Sequence, residues 1–333
     1  MITILGAGSW GTALAVHLAR NGERVTLWAR NPEVAEVIRV RRLNPWYLTD
    51  VELPPAVQAT TDARAALRSA ALVIVAVPSE FFASTLARLE PVAAPVVSAT
   101  KGFEPGRHRR MSEVVTEQWP RAPVAVLSGP TFAREVALAQ PTAAVIASRD
   151  EALAAELQRR LGSREFRLYT NRDVVGVEVG GAAKNIIALA TGLSDGLGLG
   201  ENARAALVTR GLAEMTRLGA ALGGDPATLA GLAGLGDLVL TATGTLSRNR
   251  ALGMALARGE SRADAQRATR MIAEGVPTVA SALALAARHG VALPIATEIA
   301  AVLFEGKAPA GALASLLGRA ATREDAPVGE RHA

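Results

Sequence analysis

Cysteine is absent from this 333-residue chain. Its absence removes disulfide frameworks, Cys-based zinc sites, iron–sulfur clusters and thiol nucleophiles. Aromatic residues make up only 4%, and the four histidines, His17, His108, His289 and His332, are scattered. No paired metal-ligand spacing and no hydrolase nucleophile elbow is visible, so no metal is expected. The chain also lacks an apolar run of about 18 residues, so no membrane insertion is expected. The apolar start at Met1 runs into a glycine-rich turn with no basic segment. That argues against a secretory signal and for a cytoplasmic location. Lysine is scarce as well: Lys101, Lys184 and Lys307 stand against 33 arginines. Arginine cannot release its proton under working conditions, so lysines surviving this bias mark places that need a compact or removable charge.

Half of the residues are apolar, enough for one large domain or two ordinary ones with a real core. The formal charge is +5, but both signs are dispersed along the chain. The densest basic cluster, Arg107 to Arg110, has no interleaved aromatics and reads as a solvated loop. Nucleic acid is therefore not an expected partner.

The first half alternates short Val- and Ile-rich runs with helical segments. Ile2–Leu5, Val25–Trp28, Leu72–Val77, Val96–Ala99, Val124–Leu127 and Ala143–Ala147 read as buried strands. Leu14–Asn21 and Arg64–Ser69 read as helices between them. This alternation predicts an α/β domain with a parallel, doubly wound sheet. After about Arg172 the pattern becomes Ala, Leu and Gly at helical spacing, in Asn185–Thr191, Ala203–Leu222, Arg248–Ala257 and Thr278–His289. The expected organisation is a Rossmann-type domain over 1–175, an all-α domain over 176–321 and a flexible polar tail over 322–333. The apolar helices of the second half leave room for a homodimer.

Ile2-Thr3-Ile4-Leu5 leads into Gly6-Ala7-Gly8-Ser9-Trp10-Gly11, and a helix follows. G-x-G-x-x-G between a strand and a helix is the dinucleotide fingerprint. Gly6 permits the turn, Gly8 admits the pyrophosphate and Gly11 lets helix and sheet approach. The helix start offers N–H groups and positive dipole to phosphate. At the end of the second strand, Leu27-Trp28-Ala29-Arg30-Asn31 lacks the acid that would bind a ribose 2′-OH. Arg30 could instead pair with a 2′-phosphate, so NADPH is expected over NADH.

Several polar segments sit at strand ends or helix starts. They are Ser98-Ala99-Thr100-Lys101-Gly102, Ser128 to Glu135, Gly180-Gly181-Ala182-Ala183-Lys184-Asn185, Gly234 to Thr241, and Ser247-Arg248-Asn249-Arg250. Ligands of doubly wound sheets bind outside the carboxyl ends of the strands, which directs Lys101 toward the site. The glycine-rich run before Lys184 reads as the beginning of a helix. Asp237 and Ser247 could simply cap the helices that follow them. Ser247 to Asn249 put a hydroxyl, a guanidinium and an amide at a helix start, which suits a phosphate. Together these segments read as a site for an anionic substrate.

These residues resemble one family, the soluble bacterial NAD(P)-dependent glycerol-3-phosphate dehydrogenases. The resemblance runs from Gly6 to about Pro294. It rests on GAGSWGTALA (6–15), ATKG (99–102), SGPTFAREV (128–136), the long stretch from Gly176 to Gly219, GLAGLGDLVLTATGTLSRNR (231–250) and EGVPT (274–278). It implies a dinucleotide-binding domain followed by a helical domain. It implies reversible reduction of dihydroxyacetone phosphate to sn-glycerol 3-phosphate, supplying glycerophospholipid synthesis. By the same resemblance Lys184 is the general acid/base. Lys101, Gly129, Thr131, Lys184, Asp237, Ser247, Arg248 and Asn249 hold the substrate. Gly6, Gly8, Ser9, Trp10, Gly11, Arg30, Lys101, Ala133, Arg248, Ile272 and Glu274 hold NADPH or, less favourably, NADH. Two departures stand out. Ala242 lies where relatives often carry Cys, and the turn Asn44-Pro45-Trp46-Tyr47-Leu48 differs from the commoner charged version, although Tyr47 could stack on a ring.

Other readings use the same layout. A 6-phosphogluconate or 3-hydroxyacyl dehydrogenase is the nearest, but the histidines here lie outside the dense motifs. A non-catalytic NADP-binding sensor would not need Lys184, Asp237 and Arg248 together.

Overall fold

The computed structural model describes residues 1–269 and 273–318. The strands are β1 (Ile2–Leu5), β2 (Val25–Trp28), β3 (Leu43–Asn44), β4 (Leu48–Glu52), β5 (Val57–Thr60), β6 (Leu72–Val75), β7 (Val96–Ser98), β8 (Val124–Ser128), β9 (Thr142–Ala147) and β10 (Phe166–Asn171). Interleaved with them are helices α1 (Ser9–Arg20), α2 (Pro32–Arg41), α3 (Ala63–Arg68), α4 (Ser79–Leu86), α5 (Met111–Gln118), α6 (Ala133–Ala137) and α7 (Glu151–Leu161). The rest is helical: α8 (Val174–Gly196), α9 (Gly200–Ala221), α10 (Pro226–Leu229), a π-helical turn (Leu232–Gly236), α11 (Asp237–Thr243), α12 (Arg248–Ala257), α13 (Arg262–Thr269), α14 (Gly275–His289), α15 (Pro294–Phe304) and α16 (Pro309–Leu317). The chain separates into two compact units. Residues 1–104 and 109–178 form the first, and residues 105–108 with the chain from Val179 onward form the second.

The first unit is an eight-stranded sheet in the order β10-β9-β8-β7-β6-β1-β2-β5, with β3 and β4 as a separate pair. Side chains alternate between its faces, as the period of a strand requires. Ile2, Ile4, Leu72 and Ile74 join the core on one face. Leu5, Val73 and Val75 join Phe82, Val115 and Trp119 on the other. Both faces are covered, as parallel strands demand. The expectation of a parallel sheet needs one correction, because β9 runs antiparallel to β8. The connecting α6 has five residues, about 7.5 Å of helix. That is too short to return the chain along a five-residue strand of about 16 Å.

Helix starts follow side-chain chemistry. Asn31, Asp62 and Asp150 each accept from backbone N–H groups one turn ahead and so cap α2, α3 and α7. Glu178 does the same from a distance. It accepts from Ser112 N at 2.8 Å and Ser112 Oγ at 2.5 Å, and it pairs with Arg110. Burial pushes the Glu178 carboxyl above the usual carboxylate range, against the pull of Arg110 and Ser112.

In the second unit α8 is the central element. By length and composition it could cross a membrane, but 94% of its apolar window is buried within the protein, as befits a core helix. The segment Pro226–Thr243 meets the same criterion with 44% of its window buried, and it carries Asp237. Two expectations are corrected here. Gly180 and Gly181 do not begin a helix, because α8 starts at Val174. A Cβ on Gly180 would lie 2.6 Å from the carbonyl of Ala233, so tertiary packing rather than helix termination explains the glycine. Nor is Asp237 the cap of α11. Gly236 holds that position, and the π-helical turn runs directly into Asp237. Ser247 does cap α12, accepting from Arg250 N.

Candidate active site

In the first unit the glycine-rich loop joins β1 to α1. Gly6 adopts φ +118°, and a Cβ there would meet the carbonyl of Ala76 at 2.7 Å. A Cβ on Gly11 would lie 1.9 Å from the carbonyl of Gly6, so the helix packs against its own loop. Gly8 has nothing within 4 Å of its Cβ position, which leaves the approach a pyrophosphate needs. No side chain caps α1, and its first turn holds no acid. Its N–H groups and dipole are thus offered to an anion without competition from a carboxylate. The Nε1 of Trp10, two residues after Gly8 in the chain, is buried and has no hydrogen-bond partner among the described residues. A dinucleotide fits this cradle.

The loop is held by Asn44, the first residue of the turn that departs from the commoner family version. Asn44 is fully buried. Its Nδ2 donates to Ala7 O at 2.9 Å and to Thr12 Oγ1 at 2.8 Å. Its Oδ1 accepts from the backbones of Trp46 and Tyr47, each at 3.2 Å. Ser9 Oγ donates to Tyr47 O at 3.4 Å. The unusual turn from Asn44 to Leu48 is therefore stapled to the glycine loop. At the end of β2, exposed Arg30 lies over the ring of Phe81, 5.1 Å from its centre.

Lys101, Gly129 and Thr131 come together at the ends of β7 and β8. Lys101 Nζ donates to Gly129 O at 2.8 Å and to Thr131 Oγ1 at 3.2 Å. Gly129 adopts φ +134°, and a Cβ there would press on the backbone of Ala144 at 3.0 Å. Ala133, the first residue of α6, is partly buried and packs on the sheet core.

In the second unit Lys184 is buried on α8. Its Nζ donates to Asp237 Oδ1 at 2.7 Å and to Thr241 Oγ1 at 2.6 Å. Asp237 is fully buried. A buried ammonium needs such a counter-charge, since removing one partner of a buried pair costs about 3–5 kcal/mol. Thr241 was missed in the sequence, although it lies four residues after Asp237 and so on the same helix face. Asn185, the neighbour of Lys184, accepts from Asn249 Nδ2 at 2.8 Å. Asn249 Oδ1 in turn accepts from Gly275 N at 3.0 Å. One amide thus ties the start of α12 to α8 and α14. Arg248 is exposed at the first position of α12, and Glu274 stands at the N-cap of α14. Ile272 lies outside the described residues.

Among the described residues no group of three or more His, Asp or Glu could hold a metal. A surface cavity of about 330 Å³ in the second unit, lined by Ala286, Leu293, Pro294 and Leu316 among others, contains none of these residues.

The model of the NAD-dependent glycerol-3-phosphate dehydrogenase N-terminus matches residues 1–154, and that of the C-terminus matches residues 173–314. The chain belongs to the NAD-dependent glycerol-3-phosphate dehydrogenase family. A glycerol-3-phosphate dehydrogenase [NAD(P)+] of Rhodospirillum rubrum is 51% identical over 321 residues, covering 96% of this chain and 92% of that protein. One from Geobacter sulfurreducens is 50% identical over 324 residues, covering 96% and 97%. The crystal structure of glycerol-3-phosphate dehydrogenase from Coxiella burnetii superposes with a TM-score of 0.92 at 42% identity, covering 96% of this chain and 98% of that one. As a family member the chain is an oxidoreductase built on a Rossmann-type nucleotide-binding domain and a helical domain.

Proposed function

We propose that this dehydrogenase reduces dihydroxyacetone phosphate to sn-glycerol 3-phosphate reversibly, with NADPH preferred over NADH and Lys184 as general acid and base. The observation that carries this reading is the buried Lys184 Nζ held between Asp237 and Thr241. Nicotinamide, when bound, supplies or accepts the hydride at the C2 carbon. Lys184 holds a proton at Nζ and gives it to the C2 oxygen as negative charge gathers there. In the reverse direction the same Nζ takes the proton back, which a guanidinium could not do. Asp237 and Thr241 fix the direction of the Nζ–H bonds. The proposed substrate residues are Lys101, Gly129, Thr131, Lys184, Asp237, Ser247, Arg248 and Asn249. The glycine loop, Ser9, Trp10, Arg30, Lys101, Ala133, Arg248, Ile272 and Glu274 are assigned to the cofactor. A cytoplasmic location, where a reduced nicotinamide pool is available, and a role in glycerophospholipid synthesis belong to the same proposal.

The cofactor preference rests on Arg30, whose guanidinium lies over Phe81 at the strand end where an acid would select NADH. Steady-state kinetics with dihydroxyacetone phosphate and either cofactor test it. NADPH should give the higher kcat/KM. Arg30→Asp should cut the NADPH value about 10- to 100-fold, the worth of a charge-assisted pair to phosphate. A wild-type preference for NADH that Arg30→Asp leaves unchanged would remove Arg30 from this role.

A further inference from the structure

The turn Ser247-Arg248-Asn249-Arg250 carries two arginines that the sequence does not distinguish, but their surroundings do. Arg248 is exposed. Arg250 is half-buried, and its Nε donates to Asp195 Oδ2 at 2.6 Å. Asp195 lies near the end of α8 with its side chain 5% exposed. Its other oxygen accepts from Arg204 of α9, Nη2 at 2.6 Å and Nε at 2.8 Å. One buried carboxylate therefore holds guanidiniums from two helices.

The backbone of Arg250 is engaged as well. Its N–H donates to Ser247 Oγ at 3.2 Å, forming the cap of α12. Its carbonyl lies 2.1 Å from where a Cβ on Gly192 of α8 would stand. A Cβ on Gly253 of α12 would likewise lie 2.3 Å from the carbonyl of Leu189. The two helices thus cross in backbone contact. Since Asn249 also bonds Asn185, α8 grips the turn at Asn185 and again at Asp195, about 15 Å further along the helix.

We propose that Asp195 and Arg250 are a positioning pair that fixes the 247–249 turn for the phosphate of the substrate. The pair ties Arg250 to the carboxylate on α8, so Arg250 is held by the protein rather than by an incoming phosphate. It also holds the cap hydroxyl of Ser247, which accepts from Arg250 N and keeps its own proton to donate. A turn ordered in advance spares the substrate the entropic cost of ordering it on binding. Neither Asp195 nor Arg250 bonds Lys184, so the effect falls on binding rather than on proton transfer. The proposal rests on the reading that this turn binds the substrate phosphate.

Kinetics of the full-length enzyme at saturating NADPH test it, using Asp195→Asn, Arg250→Met, Arg250→Lys and Arg248→Ala. Competitive inhibition by inorganic phosphate provides a second readout. Asp195→Asn and Arg250→Met should raise KM for dihydroxyacetone phosphate about 5- to 30-fold. They should raise the phosphate inhibition constant in parallel and move kcat less than about threefold. Arg250→Lys keeps a cation for Asp195 and should recover part of the loss. It also carries the test alone if the other variants do not fold. If Arg248→Ala raises KM while Asp195→Asn and the Arg250 variants alter only kcat or thermal stability, the positioning role is wrong. If Arg248→Ala changes neither KM nor phosphate inhibition, the turn is not the phosphate site, and the proposal falls with that reading.

Discussion

Two buried polar side chains carry most of the meaning at the residue scale. Lys184 is one of three lysines in an arginine-rich chain, and its buried Nζ donates to a carboxylate and a hydroxyl. Asn44 is the other. Its amide donates two hydrogen bonds that join the 44–48 turn to the glycine loop and α1, and accepts two from Trp46 and Tyr47 within the turn. Asn44→Ala should leave Ala7 O and Thr12 Oγ1 without that donor and loosen the loop. The expected result is a KM for NADPH raised about 10-fold with kcat little changed, read by steady-state kinetics. An unchanged KM would make Asn44 merely structural. Lys184, Asp237 and the glycine loop were legible because their motifs are contiguous. Asn44 and Thr241 were not, because their partners lie 37 and 57 residues away in sequence. Lys307, which had no role in the sequence, pairs with Glu298 and Ser315 and so fastens α16 to α15.

At the scale of elements, most strands of the first half were legible because each is a short, mostly apolar run bounded by turn residues. β5 and β10 were not. They are the two edge strands, and polar residues such as Gln58 and Arg167 interrupt their apolar pattern. The start of α8 was misread because glycines usually break helices. Here Gly180, Gly192 and Gly196 instead mark where other backbones lie against α8, information held in the fold rather than the local sequence. Helix α1 shows how a titratable group can tie elements together. His17 is buried on it, with Nε2 2.7 Å from Leu161 O at the end of α7 and its ring edge-on to Phe166 of β10. Desolvation holds its pKa below the ordinary value of 6.5. The unfolded chain therefore takes up the proton first, and stability is lost as pH falls below 6.5. Denaturant unfolding between about pH 5 and pH 6.5 should show this slope in the wild type and a shallower one in His17→Gln. Equal slopes would mean that His17 is not the group that titrates.

For the whole molecule, the +5 charge is spread over a chain whose family acts on small anions, and it needs no polyanionic partner to explain it. The fold class was legible from the change of period near Arg172, since alternating strands and helices give way there to helices alone. What the sequence could not supply was the set of distances within each unit. Lys101 with Gly129 and Thr131, and Lys184 with Asp237 and Thr241, are constellations only once the chain is folded. The central claim is that Lys184 moves the proton. Turnover of dihydroxyacetone phosphate by Lys184→Arg at saturating NADPH tests it most directly, with cofactor binding and thermal unfolding measured alongside. Arginine keeps the charge but not the removable proton. The account predicts intact folding and NADPH binding with kcat lowered by about two decades or more. Near-normal turnover by that variant would contradict it.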